Sequence, residues 1–228
     1  AVSPLYMATA YSYRKGDIYP RYFNTPNQIG LSKKISSLEN AEESLIFGSG
    51  MAAISTSLLS FLSSGDHVIF QSDLYGGTRN FAIEHLNKYG IDFSFANSTS
   101  LIDFAAKIKD NTKVIYLETP SNPLMKIIDL KGISELAKDN SIVTMIDNTF
   151  ASPVNQNPIS LGIDIVIHSA TKYLGGHSDI LAGSVSSTKK NIESVFSVGK
   201  SFGGNLSDYT VWLLERSLKT LYVRVEKQ

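Results

Sequence analysis

Short apolar runs recur along the chain at 45–47, 67–70, 113–118, 143–147 and 164–168, and residues 91–96 alternate apolar with polar. Between them lie stretches whose apolar positions return at helical spacing: 31–43, with Leu31, Ile35 and Leu38, then 50–62, 79–89 and 130–139. Strands that are apolar nearly throughout, alternating with amphipathic helices, predict a parallel sheet covered on both faces. Residues 181–185 read as an antiparallel return strand and 208–226 as one long helix carrying Trp212, Leu213, Leu218 and Leu221. Residues 1–30 hold neither period; with tyrosines at 6, 11, 13, 19 and 22 and prolines at 4, 20 and 26, they predict an extended arm.

In open α/β sheets ligands bind beyond the carboxyl ends of the strands. Tyr75, Asn122, Asp147, Ser169, Thr171 and Lys172 all follow predicted strands, so this fold brings them to one rim. The run ending Ile167-His168-Ser169-Ala170-Thr171-Lys172, followed by Gly175-Gly176, reads as a buried strand delivering an amine to a cavity. Gly48-Ser49-Gly50 opens a predicted helix, where free N–H groups and the helix dipole suit an anion such as phosphate. A tight turn is the commoner reason for glycines before a helix. For Lys172 four roles stand open: phosphate binding, an ion pair with Asp147, general base, or Schiff-base formation with a carbonyl. The Gly-x-x-x-x-Gly-Lys-Ser/Thr spacing of a P-loop is absent.

Composition narrows the ligands. The 228 residues carry 21 basic and 21 acidic side chains, so no net field recommends nucleic acid or an anionic membrane. The absence of cysteine removes disulfides, thiolate metal sites and a cysteine nucleophile. No membrane-length apolar run or signal-peptide pattern is present, which makes a soluble, cytoplasmic protein acting on a small molecule the expectation. Pyridoxal phosphate requires a lysine for its aldehyde, a carboxylate for its ring nitrogen, a phosphate cradle and an aromatic over its ring. The rim offers a candidate for each, with Asp147 equally able to serve as a helix cap.

The strings Tyr19-Pro20-Arg21, Ser49-Gly50-Met51-Ala52-Ala53, Tyr75-Gly76-Gly77-Thr78, Glu118-Thr119-Pro120-Ser121-Asn122-Pro123, Asp147-Asn148-Thr149-Phe150 and Ser169-Ala170-Thr171-Lys172-Tyr173 through Gly176-His177-Ser178-Asp179 carry a resemblance. Together they resemble the Cys/Met-metabolism family of pyridoxal-phosphate enzymes, which includes cystathionine γ-synthase, cystathionine γ-lyase, cystathionine β-lyase and methionine γ-lyase. The resemblance implies the type I transferase fold of pyridoxal-phosphate enzymes, an α/β domain over 31–228 with a mostly parallel seven-stranded sheet between helices, preceded by the arm 1–30. It implies that Lys172 bonds to the cofactor and then moves protons, that Asp147 holds the pyridine nitrogen and that Tyr75 stacks on the ring. Gly50 and Met51 would offer N–H groups to the phosphate, Ser169 and Thr171 hydroxyls, and Asn122 would lie near the 3-oxygen. Tyr19 and Arg21 would reach the phosphate of a neighbouring subunit, giving a homo-oligomer, a dimer of active sites and usually a tetramer.

Two departures stand out. Tyr19-Pro20-Arg21 and Asn24-Thr25-Pro26 replace the Tyr-Ser-Arg and Asn-Pro-Thr of many relatives, which leaves the local backbone path open. The sequence also stops at Gln228, on the helix that leads relatives into a smaller C-terminal domain carrying the arginine for the substrate carboxylate. Gly77 stands where methionine γ-lyases place a cysteine, and Gly76-Gly77 is closer to the γ-synthase and γ-lyase branch than to bacterial β-lyases. His177-Ser178-Asp179 is unlike the Gly-His-Gly ending of homoserine sulfhydrylases. The resemblance therefore points to γ-elimination or γ-replacement on cystathionine or an O-acylhomoserine. A non-catalytic binding protein of the same fold would be signalled by loss of the lysine or the aspartate, and both are present.

Overall fold

The computed structural model describes residues 3–12, 14 and 16–228; Tyr13 of the predicted arm lies outside them. Seven strands, β1 (Glu43–Phe47), β2 (His67–Gln71), β3 (Asp92–Ala96), β4 (Thr112–Glu118), β5 (Val143–Asp147), β6 (Ile165–His168) and β7 (Gly183–Ser187), form one sheet in the order β1-β7-β6-β5-β4-β2-β3. The strands β3, β2, β4, β5 and β6 pair in parallel, and β7 runs antiparallel to both β6 and β1. This is the mostly parallel seven-stranded sheet that the motifs imply.

Alternation along the strands sorts the core into two layers. Val68, Phe70, Val114, Tyr116, Met145 and Ile167 face the helices α2 (Gly50–Phe61), α3 (Gly76–His85) and α7 (Lys189–Phe202). Ile69, Ile115, Leu117, Ile146 and Val166 face α4 (Leu101–Ala105) and α5 (Leu130–Asp139). A third apolar cluster joins α1 (Pro26–Glu39), α8 (Asp208–Leu218) and α9 (Leu221–Lys227) to Ala170 and Leu174 beside Lys172. The short α6 (Ser152–Asn155) follows β5. No helix among the described residues is long and apolar enough to cross a membrane.

Several boundaries differ from expectation for identifiable reasons. The first helix spans Pro26–Glu39, earlier than 31–43, because Thr25 caps it: its side chain accepts from the Gln28 N–H while the Gln28 side chain accepts from the Thr25 N–H. Proline is favoured at the first helical position, where its missing N–H costs nothing. The Thr25-Pro26 order thus starts a helix, which answers the question of the local backbone path. The predicted single helix over 208–226 is broken. Thr220 sits at φ −111° and ψ 5°, and its hydroxyl donates to the Ser217 carbonyl, a local bond that competes with the helical ladder. Helix α7 was not anticipated, although Ile192, Val195 and Gly199 share its buried face and Thr188 caps it.

The arm also has more anchorage than its sequence suggests. Phe23 is buried against Phe47 and Phe196. Asn27 accepts from the Tyr6 N–H at 2.9 Å and donates to the Pro4 carbonyl at 2.9 Å, and the Trp212 indole donates to the Ser3 carbonyl at 2.8 Å. Tyr19 and Tyr22 stay exposed, edge to face at 5.1 Å, with the Arg21 guanidinium 5.3 and 5.4 Å from the two rings.

Candidate functional site

At the carboxyl ends of β2, β4, β5 and β6 lies a cleft of about 1220 Å³. Gly50, Met51, Tyr75, Asn122, Asp147, Ser169, Thr171 and Lys172 all line it, joined by Ser49, Glu118 and Thr149. Eight of the ten residues singled out from sequence therefore share one cavity. Tyr19 and Arg21 do not line the cavity of their own chain, and Arg21 donates to the Lys200 carbonyl at 2.6 Å.

The amino end of α2 forms a cradle. Ser49 caps the helix by accepting from the Ala52 N–H at 3.0 Å, and its carbonyl takes the Ala53 N–H at 3.1 Å. The first two N–H groups of a helix have no partner within it, so Gly50 and Met51 present theirs at the positive end of the dipole. Gly50 is packed so closely on the β6 turn that a Cβ there would lie 2.7 Å from the Ser169 Cβ and 2.9 Å from its Cα. Gly183, at the start of β7, presses on the other side; a Cβ would meet the Ser49 carbonyl oxygen at 2.1 Å. Gly50→Ala must push the helix end off the turn, an overpacking that costs about 1–3 kcal/mol. It is expected to lower the melting temperature by several degrees and weaken phosphate-ester binding, checked by thermal melts and pyridoxal-phosphate titration.

Asp147 is almost fully buried, and burial raises its carboxyl above the usual range while hydrogen bonds from Thr149 oppose that shift. The Thr149 backbone N–H (3.0 Å) and hydroxyl both donate to Oδ1, whereas no hydrogen bond among the described residues takes Oδ2. Thr149 Oγ1 also accepts from the Ser169 N–H at 2.7 Å, tying the carboxylate to the turn before Lys172. Thr149 was quoted in a motif but given no role from sequence; its position two residues after the strand-end carboxylate was the available signal.

Lys172 follows the buried strand β6 and is exposed to the cleft, with its backbone held by a turn to the Ser169 carbonyl at 3.1 Å. The Thr171 hydroxyl is already engaged, donating to the Ala182 carbonyl and accepting from the Ala182 N–H, both at 3.1 Å. Ser169 has no such competing bond among the described residues, so its hydroxyl is the readier donor to a phosphate. Gly176, at φ +72°, lies under the Arg224 guanidinium, which donates to the Tyr173 carbonyl at 2.7 Å and the Ser217 carbonyl at 3.1 Å. Arg224 lines the cleft, and these bonds latch α9 to the Lys172 turn. Gly77 leaves room for the Tyr75 ring: a Cβ there would sit 2.6 Å from Tyr75 Cε1 and 3.2 Å from the Met51 sulfur.

A cleft with an amine, a buried carboxylate, an aromatic and a helix end whose first two N–H groups point into it has the groups that pyridoxal phosphate requires, and the comparison with known proteins agrees. The family model for Cys/Met metabolism PLP-dependent enzymes matches residues 1–228. The chain belongs to that family. Cystathionine beta-lyase MetC of Bacillus subtilis is 46% identical over 204 residues, covering 89% of this chain and 52% of its own length. Cystathionine gamma-lyase of the same organism is 42% identical over 229 residues, covering 98% of this chain and 60% of the relative. The crystal structure of cystathionine gamma-lyase from Lactobacillus plantarum complexed with L-serine superposes with a TM-score of 0.92 at 39% identity, over 96% of this chain and 58% of that one. The chain thus spans between about half and three fifths of the length of these Cys/Met-metabolism proteins. Pyridoxal phosphate is the cofactor of this family of carbon–sulfur lyases and synthases, and the free Oδ2 of Asp147 together with the glycine-made cradle at α2 fits it.

Proposed function

We propose that the protein carries out trans-sulfuration chemistry, γ-elimination or γ-replacement on cystathionine or an O-acylhomoserine, as a cytoplasmic homo-oligomer. The convergence of Lys172, Asp147, Tyr75 and the α2 cradle on one cleft carries the reading. Bound pyridoxal phosphate supplies an electron sink conjugated to the α-carbon of an amino acid. In this proposal the Lys172 amine would bond the cofactor and would serve as the base and acid that moves protons at Cα, Cβ and the leaving group. Asp147 Oδ2 would hold the pyridine nitrogen, Tyr75 would cover one face of the ring and Asn122 would lie near its 3-oxygen; Gly50, Met51 and Ser169 would hold the phosphate, with Thr171 joining them only by giving up its bond to the Ala182 carbonyl. Tyr19 and Arg21, exposed and not among the residues that line their own cleft, are assigned to the phosphate of a second copy. The γ assignment rests on Gly76-Gly77.

A β-elimination is the second reading, favoured by the 46% identity to a protein named cystathionine beta-lyase. Products separate the two. The protein is expected to release 2-oxobutyrate and ammonia with cysteine from cystathionine, or to form cystathionine from O-succinylhomoserine and cysteine. Pyruvate, ammonia and homocysteine from cystathionine would establish the β-lyase reading instead. A yellow, cofactor-loaded protein that yields none of these products overturns both.

A further inference from the structure

Glu118 ends β4 and is almost entirely buried, yet the chemistry assigned above leaves it without a task. Its carboxylate reaches two loops at once. Oε2 accepts from the Tyr75 N–H at 2.8 Å, and Oε1 accepts from the Asn122 N–H at 2.8 Å. Tyr75 opens α3 after β2, and Asn122 follows β4, the neighbouring strand. Each is a residue proposed to touch the cofactor, and neither side chain is fastened by a hydrogen bond to the rest of the described chain. Their positions depend on their backbones, and both backbones end on this one carboxyl group.

The placement is costly, which argues that it is selected for something other than stability. Glu118 lies directly opposite Asp147 in the β4–β5 register, so two carboxyl groups share one face of the sheet. Burial, and then the Asp147 charge, push the Glu118 carboxyl up to about 7, while the two N–H groups pull the other way. An apolar residue could close β4 without this opposition, but it could not accept two N–H bonds 43 and 4 residues apart along the chain. A second tie, Ser121 Oγ to Asp73 Oδ2, links the same loops further from the cleft and gives the competing account of what spaces them.

We propose that Glu118 is the positioning residue of the cofactor site, setting the separation of Tyr75 and Asn122 by clamping both backbone N–H groups. The proposal rests on the reading of the cleft as the pyridoxal-phosphate site. It predicts that Glu118→Ala frees both amides and that the near-isosteric Glu118→Gln, which keeps one acceptor, frees one. Hydrogen exchange at Tyr75 and Asn122 is expected to quicken by about tenfold or more per lost bond, the equivalent of ~1.4 kcal/mol. Protection of the β4 amides of Tyr116 and Leu117 reports whether each variant is folded, and Glu118→Gln keeps the question open if the alanine variant is not. In the holoenzyme the visible circular dichroism of bound pyridoxal phosphate should weaken or change sign, and the dissociation constant should rise. Ser121→Ala should leave all three readouts near wild type. Unchanged exchange at both amides in a folded Glu118→Ala protein, or the same losses from Ser121→Ala, overturns the clamp. A wild-type protein that fails to take up pyridoxal phosphate removes the cofactor reading and leaves the exchange result standing on its own.

Discussion

Replacing Lys172 with alanine is expected to abolish covalent retention of pyridoxal phosphate and to lower turnover by at least roughly a thousandfold, the scale of a lost proton-transfer group. The variant should fold as the wild type does. Lys172 is solvent-exposed in the cleft, it makes no side-chain hydrogen bond or ion pair among the described residues, and its backbone turn does not depend on its side chain. Cofactor should still bind, because Gly50, Met51, Asp147 and Tyr75 are untouched, but borohydride reduction should leave no label on the protein. A covalent adduct persisting in Lys172→Ala would move the amine to another residue and dismantle the proposed site.

The second large effect concerns charge at Asp147. Its Oδ1 already accepts twice from Thr149, and an asparagine oxygen can keep those two bonds. Asp147→Asn therefore alters what stands at Oδ2, replacing a charged acceptor with an amide donor, while the Thr149 tie to Ser169 survives. We expect the variant to retain some cofactor and to lose about a hundredfold or more in α-proton exchange, the scale of one misplaced electrostatic group in a dry site. Exchange of the substrate α-proton with deuterated water, followed by NMR, measures this without reference to which product is made. Wild-type exchange rates would refute the role of the charge.

The sheet and the convergence of Tyr75, Asn122, Asp147, Ser169, Thr171 and Lys172 were legible because parallel strands buried on both faces are written as apolar runs, and the fold rule places their carboxyl ends together. The motifs then gave each position a chemical role. What escaped the sequence was mostly relational. Glu118 is an ordinary strand-terminal glutamate until the register sets it against Asp147 and two distant loops close on it. The commitment of the Thr171 hydroxyl to Ala182 depends on where the return strand lies, which periodicity does not report. How far Lys172 stands out into the cleft is set by the turn from Ser169, which the apolar run of the strand before it does not report. The break near Thr220 was hidden for another reason: threonine is tolerated in helices, and only its bond to Ser217 betrays the interruption.

Gly183, which packs against the Ser49 carbonyl, also sets an order of events. The cradle grows from β1 and α2, near the start of the chain, but β1 has no partner in the sheet until β7, with Glu43 opposite Ser187 and Phe47 opposite Gly183. Chain segments that must close such long loops before their contacts form do so late in folding. A nascent chain that has already emerged past Asp147 and Lys172 would still lack the strand that holds its anion site in place. Competence to capture a phosphorylated cofactor should therefore arise in one step, when the return strand docks, and not accumulate as the individual ligands are synthesised.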